Sequence, residues 1–163
     1  SQLGVGTTFE LRLAAHDRQA DPEVAQPTPA VAPLDETPSH RGPVVLWADD
    51  EPDLREVLAQ ALEEHGLRVV SAADATQACA QLSARGFDLV IADLLMPGGG
   101  GRAVLAAARE ASGAPPVIVL TGRAEPHIAA ELVALGATEC LAKPATTADV
   151  LAAVDRIIAP RRA

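Results

Sequence analysis

The chain has 163 residues and a formal net charge of -9, which suits one acidic domain of ordinary size plus extra segments. A sequence pI near 4.8 argues against nucleic acid as a partner, because phosphate backbones are bound by basic surfaces. The absence of a signal segment or a long apolar run, together with only 2 cysteines, predicts a cytoplasmic protein without direct membrane contact.

The first residues predict a strand that belongs to a sheet outside this chain. Phe9–Leu13 alternate apolar and polar side chains after a glycine turn, as in a half-buried strand. Residues 15–42 are rich in proline and poor in bulky aliphatic side chains, which predicts a semi-extended linker. Packing of this segment along the neighbouring domain is the alternative. Since the chain starts at Ser1 rather than at Met, we expect a fragment or a processed product.

From Val44 onward, apolar runs alternate with segments of helical periodicity. The predicted strands are Val44–Ala48, Leu67–Ser71, Phe87–Ala92, Pro116–Leu120 and Glu139–Ala142. The predicted helices are Leu54–Leu62 with a stop at Gly66, Ala75–Arg85, Arg102–Ser112, Glu125–Leu135 and Val150–Ile158 with a stop at Pro160. This order predicts an α/β fold, a doubly wound parallel sheet with helices on both faces. An aromatic content of 2% predicts an aliphatic core.

Polar residues follow four of the predicted strands. The pair Asp49-Asp50 follows the first strand, Asp93 the third, Thr121 the fourth and Lys143 the fifth. Ligands bind beyond the carboxyl ends of the strands in such sheets, so we expect these side chains to share one edge. Each also has an ordinary structural explanation, as an N-cap, a turn residue or a solvated chain end.

Together, these side chains suit a phosphoryl-transfer site. Crowded carboxylates raise one another's pKa unless a cation lies among them, and oxygen ligands with open positions suit Mg²⁺. A carboxylate beside such a cation can attack a phosphoryl group and form an aspartyl phosphate. Lys143, which is the only lysine of the chain, offers a compact positive charge for the transferred oxygens, and Thr121 a hydroxyl donor.

Residues 43–160 resemble the receiver domain of bacterial two-component response regulators. The resemblance rests on Asp49-Asp50, Asp93-Leu94-Leu95-Met96-Pro97 followed by Gly101, Thr121-Gly122, and Lys143-Pro144. It implies a flavodoxin-like sheet of five strands in the order 2-1-3-4-5. It also implies a phosphoacceptor with at most slow self-dephosphorylation, which receives its phosphoryl group from a histidine kinase core or a histidine phosphotransfer domain.

The resemblance also implies a role for each site residue. Asp93 resembles the nucleophile that accepts the phosphoryl group from a phosphohistidine. Asp50 and Asp93 resemble direct Mg²⁺ ligands, with the Leu95 carbonyl as a third and Asp49 acting mostly through water. Thr121 resembles the switch hydroxyl of the family.

Lys143 resembles the cation that pairs with the phosphoryl group, and its bond to Pro144 is cis in the family.

Three features depart from the family pattern. Cys140 stands where the family usually has an aromatic side chain, so we expect phosphorylation to be read out without an aromatic rotamer switch. The four glycines Gly98–Gly101 follow Met96-Pro97, which predicts a mobile loop. Leu95 lies two residues after Asp93, and we expect its apolar side chain to hinder water and prolong the phosphorylated state.

The first residues resemble a different family. Gly4, Gly6, Thr7, Phe9 and Leu13 are similar to the closing strand of the ATP-binding domain of sensor histidine kinases. Residues 1–14 are therefore interpreted as a kinase remnant, and the whole as the C-terminal receiver of a hybrid histidine kinase. The alternatives are a stand-alone response regulator and a pseudo-receiver that takes no phosphate. An aspartate-nucleophile phosphatase is a further alternative, disfavoured because Leu95 stands where those enzymes have a second aspartate.

Overall fold

The computed structural model describes residues 42–122 and 126–159. The predicted strand Phe9–Leu13, nearly all of the predicted linker and the predicted stop at Pro160 lie outside these residues. Within the described part, strands and helices alternate along the chain. They are β1 (Val44–Ala48), α1 (Pro52–Glu64), β2 (Arg68–Ala72), α2 (Ala75–Ala84), β3 (Leu89–Asp93), α3 (Gly100–Glu110), β4 (Val117–Thr121), α4 (Pro126–Ala134), β5 (Glu139–Ala142) and α5 (Thr147–Ile158).

The strands form one parallel sheet in the order β2-β1-β3-β4-β5. This confirms the predicted fold class and strand order. The register pairs Asp93 with Leu120 and Thr121 with Ala142, so the last residues of β3, β4 and β5 lie side by side. The chain reverses its winding direction between β1 and β3, which is where doubly wound sheets bind their ligands.

The helices cover the sheet on both faces and create two apolar layers. Helices α1 and α5 pack on one face, and their layer contains the fully buried Trp47, Leu62 and Ile118. Helices α2, α3 and α4 contribute to the layer on the other face, around Leu46 and Leu105. The core is largely aliphatic as predicted, although Trp47 lies entirely inside it.

Several predicted boundaries are wrong by one to three residues. Strand β2 begins at Arg68 instead of Leu67, because the Leu67 amide donates to Leu62 O and so closes the end of α1. Strands β3 and β4 extend to Asp93 and Thr121, which the sequence pattern had placed after the strands. Helix α3 begins at Gly100, since glycine here makes the first turn of the helix instead of a separate loop.

In the described residues, no helix is long and apolar enough to cross a membrane.

Candidate functional site

A lysine and two carboxylates meet at the carboxyl edge of the sheet. The Lys143 Nζ lies 3.1 Å from Asp49 Oδ2 and 3.1 Å from Asp93 Oδ1, so one ammonium group bridges both acids. Asp49 follows β1, Asp93 ends β3 and Lys143 follows β5, and the parallel register is what brings them together. The Lys143 amide also donates to the Thr121 carbonyl at 2.7 Å, which fixes the start of the loop after β5.

Burial makes this group of charges unusual. Asp49 is completely buried and Asp93 is only 5% exposed, whereas charged side chains are seldom buried unless they are paired. Burial raises the pKa of Asp93 and the Asp49 charge raises it further, while Lys143 and the Leu95 backbone amide act in the opposite direction. Burial lowers the pKa of Lys143, but its contacts with Asp93 and Asp49 outweigh that effect and leave it above its ordinary value.

Asp49 is held at every polar atom. Its amide donates to Ala72 O at 3.2 Å, and its carbonyl accepts a 2.7 Å hydrogen bond from the Arg55 guanidinium. Its Oδ1 accepts the Glu51 amide at 2.8 Å, and its Oδ2 faces Lys143. Asp49 therefore fixes the turn between β1 and α1 and neutralises Lys143. Sequence reasoning missed Arg55, because one arginine on a helical pattern carries no signal of a long-range contact.

Asp50 and Leu95 lie on the outside of the same edge. Asp50 is exposed, and the Leu95 side chain is 65% exposed, next to the buried Asp93. Of the carboxylates predicted at this edge, Asp49 and Asp93 contact Lys143, while Asp50 is exposed. Accordingly, no group of three or more His, Cys, Asp or Glu side chains is arranged to hold a metal ion in residues 42–122 and 126–159.

Thr121 and Cys140 lie on one face of the sheet. Cys140 pairs with Val119, two residues before Thr121, and side chains two residues apart in a strand point to the same side. Thr121 is buried at 3% exposure, and the Cys140 thiol packs half-buried against the apolar layer beneath α2, α3 and α4. A small thiol thus occupies the position of the expected aromatic side chain.

Two of the four glycines, Gly100 and Gly101, serve a steric purpose at the start of α3. A Cβ on Gly100, whose φ is 62°, would lie 2.2 Å from the Leu94 carbonyl oxygen. A Cβ on Gly101 would lie 3.0 Å from Asp93 O. The helix therefore approaches the backbone beside Asp93 more closely than any other residue type would permit. The predicted mobility of Gly98–Gly101 stays a prediction.

The Lys143–Pro144 peptide bond is cis, as the resemblance implied.

Two curated relatives illustrate the similarity in sequence. The chain is 38% identical over 102 residues to the C4-dicarboxylate transport transcriptional regulatory protein DctD of Rhizobium meliloti, covering 63% of this chain and 22% of that protein. It is 32% identical over 151 residues to the sensor protein EvgS of Escherichia coli, covering 93% of this chain and 12% of that protein. The chain thus spans about a quarter or less of the curated relatives it matches.

Two solved structures illustrate the similarity in fold. The receiver domain of sensor histidine kinase PA1611 from Pseudomonas aeruginosa, solved with a magnesium ion in its active-site cleft, is 26% identical with a TM-score of 0.65, over 72% of this chain and 98% of that one. A response regulator from Burkholderia pseudomallei with a phosphorylated aspartic acid, calcium ion and citrate is 31% identical with a TM-score of 0.63, over 68% of this chain and 65% of that one. A family model described as the response regulator receiver domain matches residues 45–155. The chain therefore belongs to the response regulator receiver family.

Proposed function

We propose that Asp93 is the phosphoacceptor of this receiver and takes a phosphoryl group from a phosphohistidine. The observation that carries the proposal is the pair of buried carboxylates, Asp49 and Asp93, bridged by Lys143 at the ligand-binding edge of the sheet. Here the bridging Lys143 side chain is 27% exposed, so a ligand can reach it beside Asp93.

The chemistry requires little from the protein besides position and charge. An Asp93 carboxylate oxygen attacks phosphorus and forms the new P–O bond, while the P–N bond to the donor histidine breaks. The electron pair of that bond stays on the histidine nitrogen, which takes up a proton. The Lys143 ammonium faces the attacked group and balances the negative charge on its oxygens. Thr121, buried at the end of β4, is the proposed hydroxyl donor to the phosphoryl group.

The donor atoms at this edge suit Mg²⁺. They are all oxygens, and burial together with the Asp49 charge raises the pKa of Asp93, effects that a bound cation would oppose. The proposed ligands are Asp50, Asp93 and the Leu95 carbonyl, with Asp49 acting through water. When bound, Mg²⁺ supplies charge neutralisation for the transferred oxygens. The exposed Asp50 allows water and phosphate to complete the coordination sphere, which Mg²⁺ prefers.

The proposed setting is a hybrid sensor histidine kinase in the cytoplasm. The match to EvgS includes 93% of this chain, so it extends beyond residues 45–155 into the flanking segments. The proposed division is a kinase remnant in residues 1–14, a linker in 15–42 and the receiver in 43–160. The partner is then a histidine kinase core or a histidine phosphotransfer domain. A pseudo-receiver is disfavoured because Asp50, Asp93, Thr121 and Lys143 are all present.

Mass spectrometry of the intact protein tests the proposed function. After incubation with acetyl phosphate and Mg²⁺, the wild-type chain should gain one phosphoryl group, and Asp93→Asn should gain none. Asp88→Asn is the matched control, because Asp88 is an exposed acid that bonds the Val44 amide at the opposite end of the sheet. Labelling that persists in Asp93→Asn, or that needs no Mg²⁺, contradicts the proposal.

A further inference from the structure

One arginine links the turn that carries Asp49 and Asp50 to the buried tryptophan of the core. The Arg55 guanidinium donates to the Asp49 carbonyl at 2.7 Å, and the Arg55 carbonyl accepts the Trp47 indole N–H at 3.1 Å. Trp47 is fully buried beneath α1, whereas Arg55 is half-buried and Asp50 is exposed. These contacts therefore form a path from the rigid core to the acidic turn.

The contact matters because of the peptide bond to which it is made. The carbonyl of residue 49 belongs to the planar peptide that joins Asp49 to Asp50, so holding this oxygen fixes the plane from which Asp50 projects. In the described part of the chain, no hydrogen bond or ion pair holds the Asp50 carboxylate itself. Its direction consequently depends on the backbone of the turn.

The other side of the turn has a separate restraint. The Asp49 carboxylate accepts the Glu51 amide at 2.8 Å, and Glu51 is the N-cap of α1 without a side-chain cap of its own. The Arg55 amide closes the first helical hydrogen bond to Glu51 O at 2.9 Å. Arg55 thus supports the turn with both its backbone and its side chain, and only the side-chain contact can be removed by substitution.

We infer that Arg55 is a positioning residue, which orients the Asp49–Asp50 turn for cation binding. The inference rests on the proposed Mg²⁺ site and concerns a residue that does not touch the ion. Groups behind a metal ligand typically alter metal affinity by about ten- to a hundredfold when they are removed. Arg55→Met should therefore weaken Mg²⁺ binding by about tenfold or more, while Arg55→Lys, which keeps one donor, should restore part of it.

Mg²⁺ affinity is best measured as stabilisation of the folded protein. The midpoint of thermal unfolding is followed through Trp47 emission, which is specific because the chain has one tryptophan. A ligand that binds only the folded state raises this midpoint as its concentration exceeds its Kd. Arg102→Met is the matched control, since Arg102 bonds Glu131 at 3.1 Å and takes no part in the acidic turn.

Only Arg55→Met should lose Mg²⁺ affinity, when the shift in each variant is measured from its own metal-free midpoint. Equal Mg²⁺ affinity in Arg55→Met and the wild type overturns the inference. If the wild type binds no Mg²⁺, the proposed function fails, and hydrogen exchange of the Glu51 amide decides the positioning role. Faster exchange of the Glu51 amide in metal-free Arg55→Met, but not in Arg102→Met, supports the positioning role of Arg55. Unchanged exchange of this amide in Arg55→Met overturns that role.

Discussion

The carboxyl edge of the sheet contains an inner and an outer group of residues that differ in how they are held. The inner group, Asp49, Asp93 and Lys143, is largely buried and joined by two 3.1 Å contacts. The outer group, Asp50 and Leu95, is exposed, and backbone geometry sets its direction. The inner group is therefore preorganised by folding, whereas the outer group acquires its final environment only with ligands and solvent. Changes to the inner group should alter the chemistry strongly, and changes to the Leu95 side chain of the outer group should tune it.

Removal of the bridging cation should produce the largest effect. Lys143→Met leaves two buried carboxylates facing each other and removes the charge that balances the transferred oxygens. Phosphoryl uptake from acetyl phosphate should fall by about 10²–10³, as for other lost electrostatic contacts at reacting oxygens. The rate is read by mass spectrometry of quenched samples.

Lys143→Arg tests whether the shape of the cation matters in addition to its charge. It keeps the positive charge but replaces a compact ammonium with a planar fork, so the fold should survive and the uptake should be reduced less than in Lys143→Met. Wild-type uptake in both variants would show that the inner group is merely structural.

A substitution at Gly100 should mainly affect stability. Gly100→Ala places a Cβ at 2.2 Å from Leu94 O at a φ of 62°, so both strain and overpacking oppose folding. We expect the free energy of unfolding to fall by about 2–4 kcal/mol in urea denaturation.

Gly113→Ala is the matched control for backbone strain. Gly113 has a φ of 82° with nothing within 4 Å of the added Cβ, so the loss should be limited to about 1–2 kcal/mol. Equal losses in the two glycine variants would show that the close approach beside Asp93 is unimportant.

The outer group should control the lifetime of the phosphorylated state. Leu95 is 65% exposed beside Asp93, and Leu95→Asn would replace an apolar shield with a group that can orient water. We expect severalfold faster dephosphorylation with unchanged thermal stability, measured by loss of label after removal of the phosphodonor. Val133→Asn on α4, where Val133 is 56% exposed, should leave the lifetime unchanged. An unchanged lifetime in Leu95→Asn refutes the shielding role.

The smallest effect concerns the thiol at the expected aromatic position. Burial raises the pKa of Cys140, and the nearby Glu139 charge raises it further. Since the thiolate is the reactive form, a raised pKa lowers its fraction at any neutral pH and slows alkylation. Alkylation of Cys140 by iodoacetamide is quantified on the peptide that contains this residue. It should increase with pH, with a midpoint above the ordinary pKa of a thiol. A midpoint below that value would contradict the half-buried position.

The sequence predicted most of the fold because apolar runs and helical periodicity report burial directly. The bounds of β1 and β5 agree with the prediction, and so does the parallel order of the sheet. Helix α3 was placed too late because a glycine run indicates a loop by propensity, whereas contact with the Leu94 carbonyl requires glycine inside the helix.

Motif spacing predicted the residues of the inner group but not the Arg55 contact that holds the Asp49 carbonyl. Asp93 and Lys143 can be recognised because they come at the ends of predicted strands. They lie 50 residues apart in the sequence, and the strand order brings them together. The Arg55 contact to the Asp49 carbonyl depends on the direction of one side chain at the start of a helix. Periodicity does not encode such a direction, so this contact could be seen only in three dimensions.

The most direct measurement locates the phosphoryl group on the chain. The phosphorylated protein is reduced with borohydride, which converts an aspartyl phosphate to homoserine, and is then digested and sequenced by mass spectrometry. The account predicts that homoserine replaces Asp93 alone and only in samples that contained Mg²⁺. Homoserine at Asp49 or Asp50, or none at any position in a protein that carries the label, would contradict it.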